Sequence, residues 1–390
     1  MTFRRIPVSA TFIPFSDIIG SFLAQGSGNE RLSLKLKSYF PAKYVFLCNS
    51  GLASLYLILR ALKCLSSRNE IILPAYTAPS LMLPIRRLKI KPVLCDISLE
   101  DFNLDLNQLT SYANADTLSI LQVYSFGIVS RNIEYLKKSF PGIFIIEDCA
   151  QAMGSKIGPI KIGKSGHIGF FSFNRGKNLP TYGGGCIVTD EEKIAAALNP
   201  EVSRLPSSGQ FANFTQLIKI SALSLAVRPL IYGLLYPFIS CFKDVEVPDD
   251  FTVNKSVEFQ AHLAAKLLEG IEKSFRKRYE NALTLLEELK DVESIRLPKF
   301  PSDAHCVLNR FPVVFKDPDT KVKAQNEMRK AGFETSCMYL KPIHHIFDLG
   351  YRREEFPHAV YLAERLLTLP IHPLLKSSDL DRMVRIVRKL

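Results

Sequence analysis

The sequence predicts an α/β fold in which a large domain, with a mostly parallel seven-stranded-type sheet flanked by helices, precedes a smaller C-terminal α/β domain. In the first half of the chain, short apolar runs alternate with helical patterns, which is typical of parallel sheets. The 390 residues suggest two or three domains at about 150 residues each. A composition that is 47% hydrophobic and 23% charged excludes a disordered chain and can supply a large core.

The strands of the large domain are predicted at 44–48, 70–73, 92–96, 118–124, 143–147 and 185–189. Its helices are predicted at 52–64, 79–88 and 132–139. The second half predicts a long helical stretch at 257–289, a strand at 310–315, and helices at 319–331, 357–367 and 378–388. We place the domain boundary near residue 250, dividing 1–250 from 251–390, because Val245 to Asp250 is typical of a linker.

The middle of the chain changes character. Residues 200–212 are polar and predict a loop, whereas 213–242 are strongly apolar and predict helices. Arg228 and Pro229 interrupt the run and leave 14 uncharged residues from 229 to 242, fewer than the roughly 20 that a spanning helix needs. We therefore expect a helical hairpin buried in a dimer, or an element docked reversibly on an anionic membrane surface, rather than a span.

Charge and cysteine content narrow the classes of function. Fifty Lys and Arg against 38 Asp and Glu give a net charge of +12, which favours anionic partners. No block of five like charges exists, so we expect no nucleic-acid-binding tail. The eight cysteines form no Cys-x-x-Cys pair, which leaves a metal site unsupported and fits a reducing cytoplasm. Prolines near the N-terminus argue against a signal peptide.

Two segments at predicted strand ends carry candidate binding residues. Ser50, Gly51, Leu52 and Ala53 lie between a strand and a helix, where small residues let backbone N–H groups bind an anion. An ordinary helix cap is the alternative. Asp148 follows an apolar strand, at the sheet edge where ligands bind, and could hold a cationic ring nitrogen; it too could be a simple cap.

Two further segments carry candidate reactive groups. Lys177 stands in Phe171 to Asn178, among aromatic and glycine residues rather than on a charged face. There it could act as an amine nucleophile, with Ser172 binding a phosphate; a solvated surface lysine is the alternative. His344 precedes a second histidine, and neighbours in an extended segment point to opposite sides, which disfavours one shared metal. A satisfied polar residue is the alternative for His344.

Together these segments resemble the DegT/StrS family of sugar aminotransferases, pyridoxal-phosphate enzymes of the type I aminotransferase fold. The resemblance runs nearly end to end. The matching stretches are Ser50–Leu55, Ile72–Thr77, Pro92–Asp105, Glu147–Gly154, Phe171–Asn178 with the glycines that follow, Pro342–His344 and Phe356–Pro373.

The resemblance implies a role for each matching residue. Lys177 would bind pyridoxal phosphate covalently, Asp148 would pair with the pyridine nitrogen, and Gln151 would lie beside the ring. The other cofactor-binding positions would be Ser50, Gly51, Leu52, Ala53, Tyr76 and Ser172, and His344 would contact substrate. The resemblance also implies glutamate as amino donor, a keto-sugar that is nucleotide-linked as acceptor, and a homodimer whose partner subunit completes the site.

Three positions depart from the family pattern. Leu52 replaces a phosphate-binding threonine, Ala78 replaces an aromatic that stacks on the ring, and Gly183 replaces an acidic residue. Together with the apolar insert, these departures support one alternative, a membrane-associated scaffold protein that has lost turnover. A sugar dehydratase of the same family is the other, although such relatives typically carry histidine where this chain has Lys177. We expect a cytoplasmic enzyme with access to the inner membrane surface, in surface-glycan or related sugar biosynthesis.

Overall fold

A seven-stranded sheet forms the centre of the protein, which is described by a computed structural model for residues 4–240 and 248–390. The strands are β1 (Tyr44–Cys48), β2 (Glu70–Pro74), β3 (Lys91–Cys95), β4 (Thr117–Val123), β5 (Phe144–Asp148), β6 (Lys156–Ile157), β7 (Ile160–Lys161), β8 (Ile168–Ser172), β9 (Gly185–Thr189), β10 (Ile295–Arg296), β11 (Ala304–His305), β12 (Phe311–Phe315) and β13 (Leu366–Leu369). The order in the large sheet is β1-β9-β8-β5-β4-β2-β3. Only β9 runs against the other six strands, so the predicted mostly parallel sheet is confirmed.

Helices surround this sheet and a smaller one. They are α1 (Phe15–Phe22), α2 (Gly28–Tyr39), α3 (Gly51–Leu65), α4 (Met82–Arg87), α5 (Leu106–Tyr112), α6 (Asn132–Ser139), α7 (Glu192–Ser203), α8 (Gln210–Ala226), α9 (Pro229–Ser240), α10 (Glu258–Leu268), α11 (Ile271–Leu289), α12 (Pro318–Lys330), α13 (Pro357–Arg365) and α14 (Ser377–Arg388). The smaller sheet, β10-β12-β13, packs with α12 and α13 near the C-terminus.

The central strands are apolar because both of their faces are covered. Every residue of β2, β4 and β9 is buried, as expected for strands of a mostly parallel sheet that lies between two helical layers. α3 packs across the sheet with nine buried residues, and its neighbours α4 and α7 complete that layer. This packing holds the carboxyl ends of β4 and β5 at one fixed edge, which is where the candidate site lies.

Several predicted boundaries are corrected by the structure. Both bounds of the predicted loop at 200–212 are wrong, because α7 continues to Ser203 and α8 begins at Gln210. The helical stretch 257–289 is two helices separated at Gly270, a residue that weakens helix interiors. The prediction for 357–367 overran its helix, since Leu366 already begins β13.

The apolar insert forms two helices, α8 and α9, joined at Val227 and Arg228. Among the described residues, no single helix is long and apolar enough to span a membrane; Phe211–Ala226 and Pro229–Pro237 pass that test only as a pair bent by 99°. The end of the predicted insert, 241–242, and residues 245–247 of the predicted linker lie outside the described residues. The domain division near residue 250 stays a prediction.

Candidate active site

The amino end of α3 and the end of β8 meet in one small cradle. Ser50 caps α3, and its hydroxyl accepts a hydrogen bond from the backbone N–H of Ala53 at 3.1 Å. Gly51 faces Ser172 so closely that a Cβ on Gly51 would lie 2.9 Å from the Ser172 Cβ. The structure therefore brings the predicted phosphate-binding residues together, with Ser50 also filling the helix-capping role that was its alternative. A helix amino end beside a hydroxyl suits a phosphate group.

Asp148 ends β5 at the carboxyl edge of the sheet. It is buried, and its Oδ1 accepts a hydrogen bond from the Ala150 N–H at 2.9 Å. Burial raises the pKa of the Asp148 carboxyl to about 6, while the Ala150 N–H and the charge of Lys177 oppose that rise. An ionised Asp148 in this position would be stabilised by a cation, as a protonated ring nitrogen would be.

Lys177 lies in the loop that follows β8 and is half-buried rather than solvated. Burial lowers the pKa of its amine to about 8; the negative charge of Asp148 opposes this shift and the positive charge of Arg310 adds to it. An amine with this pKa is partly neutral near physiological pH and can act as a nucleophile or a base. The surface-lysine alternative is therefore inconsistent with the structure.

Gln151 and Tyr76 are both held by the segment that contains Tyr339. The Gln151 side chain accepts a hydrogen bond from the Phe126 N–H at 3.1 Å and donates to the Tyr339 hydroxyl at 3.3 Å. Tyr76 is buried and donates its hydroxyl to the carbonyl of Cys337 at 3.4 Å. The rings of Tyr76 and Tyr339 lie 5.5 Å apart, so Tyr76 is fixed against the 337–339 segment.

His344 does not join this cluster. Its ring packs 5.1 Å from Phe356 and 4.3 Å from His345, and its Nε2 lies 3.4 Å from the Arg353 carbonyl oxygen. Burial lowers the pKa of His344, which favours the neutral ring. The N–H of Ile343 donates to the Ala75 carbonyl at 2.8 Å and fixes this turn to the end of β2. A contact between His344 and substrate stays a prediction.

The profile of the DegT/DnrJ/EryC1/StrS aminotransferase family matches residues 16–388. The chain belongs to this family. The family is pyridoxal-phosphate-dependent, and this member is an aminotransferase.

The relatives of this family member include characterised and uncharacterised proteins. An uncharacterised protein of Methanocaldococcus jannaschii is 27% identical over 95% of this chain and 91% of its own length. A UDP-N-acetyl-3-dehydro-alpha-D-glucosamine 3-aminotransferase of Acidithiobacillus ferrooxidans is 24% identical over 88% of this chain and 83% of its own. A family aminotransferase from Brucella abortus superposes with a TM-score of 0.75 at 20% identity, covering 96% of this chain and 95% of its own. This last likeness supports the fold.

The cradle, Asp148 and Lys177 together fit pyridoxal phosphate. This protein supplies three suitable features. Asp148 is a buried carboxylate without an ion-pair partner among the described residues, Lys177 is an amine of lowered pKa, and the amino end of α3 is capped. Ser50, Gly51 and Ser172 would hold the phosphate, Asp148 the ring nitrogen and Lys177 the aldehyde carbon. Within 4–240 and 248–390, no group of three or more His, Cys, Asp or Glu residues could hold a metal ion.

Two residues near this site were missed by the sequence analysis. Arg310 precedes β12, and its Nη1 lies 3.0 Å from the Met338 sulfur, whereas its buried Nε has no hydrogen-bond partner among the described residues. Tyr339 contacts Gln151, and burial together with nearby Asp148 raises the pKa of its hydroxyl. Arg310 carried a weak signal, a charge directly before a wholly apolar strand, and Tyr339 carried none.

The departures from the family pattern have structural consequences. Ser54 cannot replace the hydroxyl missing at Leu52, because it is fully buried and donates to the Ser50 carbonyl at 3.1 Å. At Gly183, a Cβ would lie 2.6 Å from Nε2 of Gln260, a buried side chain that also donates to the Thr181 carbonyl at 2.8 Å. An acidic side chain at 183 would therefore have to displace the Gln260 amide, which breaks its hydrogen bond to the Thr181 carbonyl. Nothing in the structure explains Ala78.

Proposed function

We propose that this aminotransferase transfers the amino group of glutamate to a nucleotide-linked keto-sugar in the biosynthesis of a surface glycan. The observation that carries the proposal is that buried Asp148 and the amine of Lys177 lie close enough at the carboxyl edge of the sheet for their charges to shift each other's pKa. The relative from Acidithiobacillus ferrooxidans is named for a nucleotide-linked keto-sugar. A transaminase of Aneurinibacillus thermoaerophilus that is 26% identical is named for a dTDP-linked amino sugar.

Pyridoxal phosphate supplies an electron sink for the reacting carbon when it is bound. The residues of this chain do the rest. Asp148 remains ionised above about pH 6 because the pKa of its carboxyl is about 6, so it can keep a ring nitrogen protonated. The free amine of Lys177 removes a proton from the donor carbon and returns one to the acceptor carbon, as a general base and acid. Ser50 and Ser172 hold the phosphate against α3.

The oligomer and the location belong to the same proposal. A homodimer in the cytoplasm would place the cradle of one subunit beside its partner, and nucleotide-linked sugars are charged metabolites that suit a protein of net charge +12. Size-exclusion chromatography with light scattering measures the oligomer, and a mass of one chain would contradict it.

The reaction is tested by incubating the purified enzyme with glutamate and a panel of nucleotide-linked keto-sugars. We expect 2-oxoglutarate to form with one of them, together with a sugar product that has gained nitrogen. A product that has lost oxygen without gaining nitrogen would instead show a dehydratase, an activity named for the Escherichia coli family structure with bound hydrated PLP. Binding of the cofactor without either product would favour a scaffold.

The cofactor attachment is tested separately from turnover. Borohydride reduction followed by peptide mass spectrometry is expected to place a pyridoxyl group on Lys177. The matched control is Lys161→Ala, since Lys161 also has its pKa lowered by burial but lies on β7. The label should persist in Lys161→Ala and vanish in Lys177→Ala; a label on another lysine of the wild-type chain contradicts the assignment.

A further inference from the structure

α8 presents apolar side chains to solvent as well as to the core. Its inner face contains Ile220, which is fully buried. Its outer face contains Phe211, Phe214 and Ile218, which are 78%, 52% and 55% exposed, and exposed Leu225 continues that face to the last turn of the helix. A surface helix of a soluble protein normally carries polar residues on the side that faces water. The outer side of α8 departs from that rule.

The apolar exposure continues onto the neighbouring helices. On α9, Leu230 and Leu234 are 63% and 65% exposed. α1 packs against α8 and exposes Phe15 and Ile19, and Leu23, the residue that follows α1, is exposed as well. We define the apolar face as the exposed side chains of α8 and α9: Phe211, Phe214, Ile218, Leu225, Leu230 and Leu234. Apolar surface of this extent marks an interaction site.

The apolar face is held in place by polar contacts on its inner side. The Ser224 hydroxyl donates to the Ile13 carbonyl at 2.9 Å and accepts from the Ile13 N–H at 3.1 Å. On α9, the Tyr232 hydroxyl donates to Glu334 at 2.6 Å. These contacts fix both helices to the body of the protein, so the face is preformed.

The charges around the apolar face indicate which partner fits it. Residues 202–243 contain no Asp or Glu, although the whole chain has 38. Lys219 and Arg228 are both exposed at its border. A symmetric contact between two copies would bring these cations toward one another without an acidic partner from the same segment, because an isologous interface pairs a patch with itself. A surface of anionic lipids offers both an apolar phase and negative charge.

We propose that the apolar face docks this protein on the surface of a membrane that contains anionic lipids. α8 and α9 are bent by 99° relative to each other, so they lie along the interface with Phe211 and Phe214 in the acyl boundary and Lys219 and Arg228 at the headgroups. This binding is peripheral and does not depend on the reaction that the enzyme catalyses.

The test measures co-sedimentation of the holoenzyme with vesicles of phosphatidylcholine alone and with vesicles that also contain phosphatidylglycerol. We expect binding to the anionic vesicles, weakened by high salt. The variant Phe211→Ser/Phe214→Ser should lower vesicle affinity by about tenfold or more. Its control is Leu34→Ser on α2, a residue that is 68% exposed and should leave binding unchanged.

A charge test separates lipid binding from general attraction. Lys219→Glu/Arg228→Glu should abolish the preference for anionic vesicles, while Lys37→Glu on α2, an exposed position, should retain most of it. Light scattering on the same variants measures the oligomeric state, and so tests whether a second copy of the chain covers the apolar face instead. Absence of vesicle binding at low salt overturns the proposal, as does a Phe211→Ser/Phe214→Ser variant that dissociates the oligomer and binds vesicles like the wild type.

Discussion

The candidate active site buries charged groups, whereas the apolar face exposes apolar side chains. At the site, charged groups are removed from water, so the pKa of Asp148 is raised to about 6 and that of Lys177 is lowered to about 8. On the apolar face, side chains such as Phe211 that prefer burial remain in water. Each arrangement costs free energy in the isolated subunit. Both regions would therefore gain stability from the partners proposed for them, which are a cofactor with substrate in one and a membrane surface in the other.

Of the substitutions that test this comparison, Lys177→Ala is expected to have the largest effect on activity. It removes the amine that binds the cofactor and moves the proton, so turnover should fall to the background of the assay. The fold should remain, because Lys177 lies in a loop and is only half-buried. Circular dichroism and the absorbance of bound cofactor measure the two effects, and measurable turnover in this variant would contradict the role of Lys177.

Asp148→Asn is expected to have the next largest effect. A neutral amide stabilises a protonated ring nitrogen poorly, so turnover should fall by about 10²–10³-fold while the cofactor still attaches to Lys177. Asp148→Glu, which keeps the charge, is the matched control and should retain more activity. Equal activities for the Asn and Glu variants would show that the charge is irrelevant.

Helix α8 allows a direct comparison of a buried and an exposed apolar side chain. Ile220 is 0% exposed on α8 and Ile218 is 55% exposed, so the same truncation can be compared two residues apart. Ile220→Ala should lower the free energy of unfolding by about 2–5 kcal/mol, and Ile218→Ala by no more than about 0.5 kcal/mol. Urea unfolding of the holoenzyme measures both. A similar large loss at Ile218 would mean that the face is covered in the soluble protein.

The smallest effect is expected from the charge of Arg310. The pKa of the Lys177 amine is about 8, so its neutral, reactive fraction increases as the pH rises from 7 to 9. Arg310→Gln removes a positive charge that favours the neutral amine, so the pKa of Lys177 should rise and cofactor attachment should require a higher pH.

Absorbance of the bound cofactor, followed as a function of pH, measures this shift. Arg310→Lys is the control that keeps the charge and should stay close to the wild-type profile. A shift to lower pH in Arg310→Gln would contradict the electrostatic argument.

Short-range patterns account for most of what the sequence predicted. The strands at 44–48 and 185–189 and the helix at 132–139 have the predicted bounds. β8 was missed because its five residues contain a glycine and run directly into the lysine segment. α2 was missed because only two large apolar residues, Leu32 and Leu36, mark its buried side.

The site residues likewise fall into those marked by short local segments and those that only long-range packing brings to the site. Lys177 and Asp148 were predicted because each lies in a distinctive local segment. Arg310 and Tyr339 reach the site from more than 130 residues further along the chain, and only the packing of β12 and the 337–339 segment brings them there. His344 was assigned from its neighbours in sequence, whereas its position depends on the turn anchored at Ala75.

The close fit of Gly183 against Gln260 limits how this sequence can diverge. A Cβ at 183 would lie only 2.6 Å from the Gln260 amide, so any side chain at 183 requires that amide to move or to be replaced by a shorter one. A shorter side chain at 260 meets no such barrier, because Gly183 has no side chain. Lineages descended from this protein are therefore expected to combine a side chain at 183 with a displaced Gln260 or with a different residue at 260.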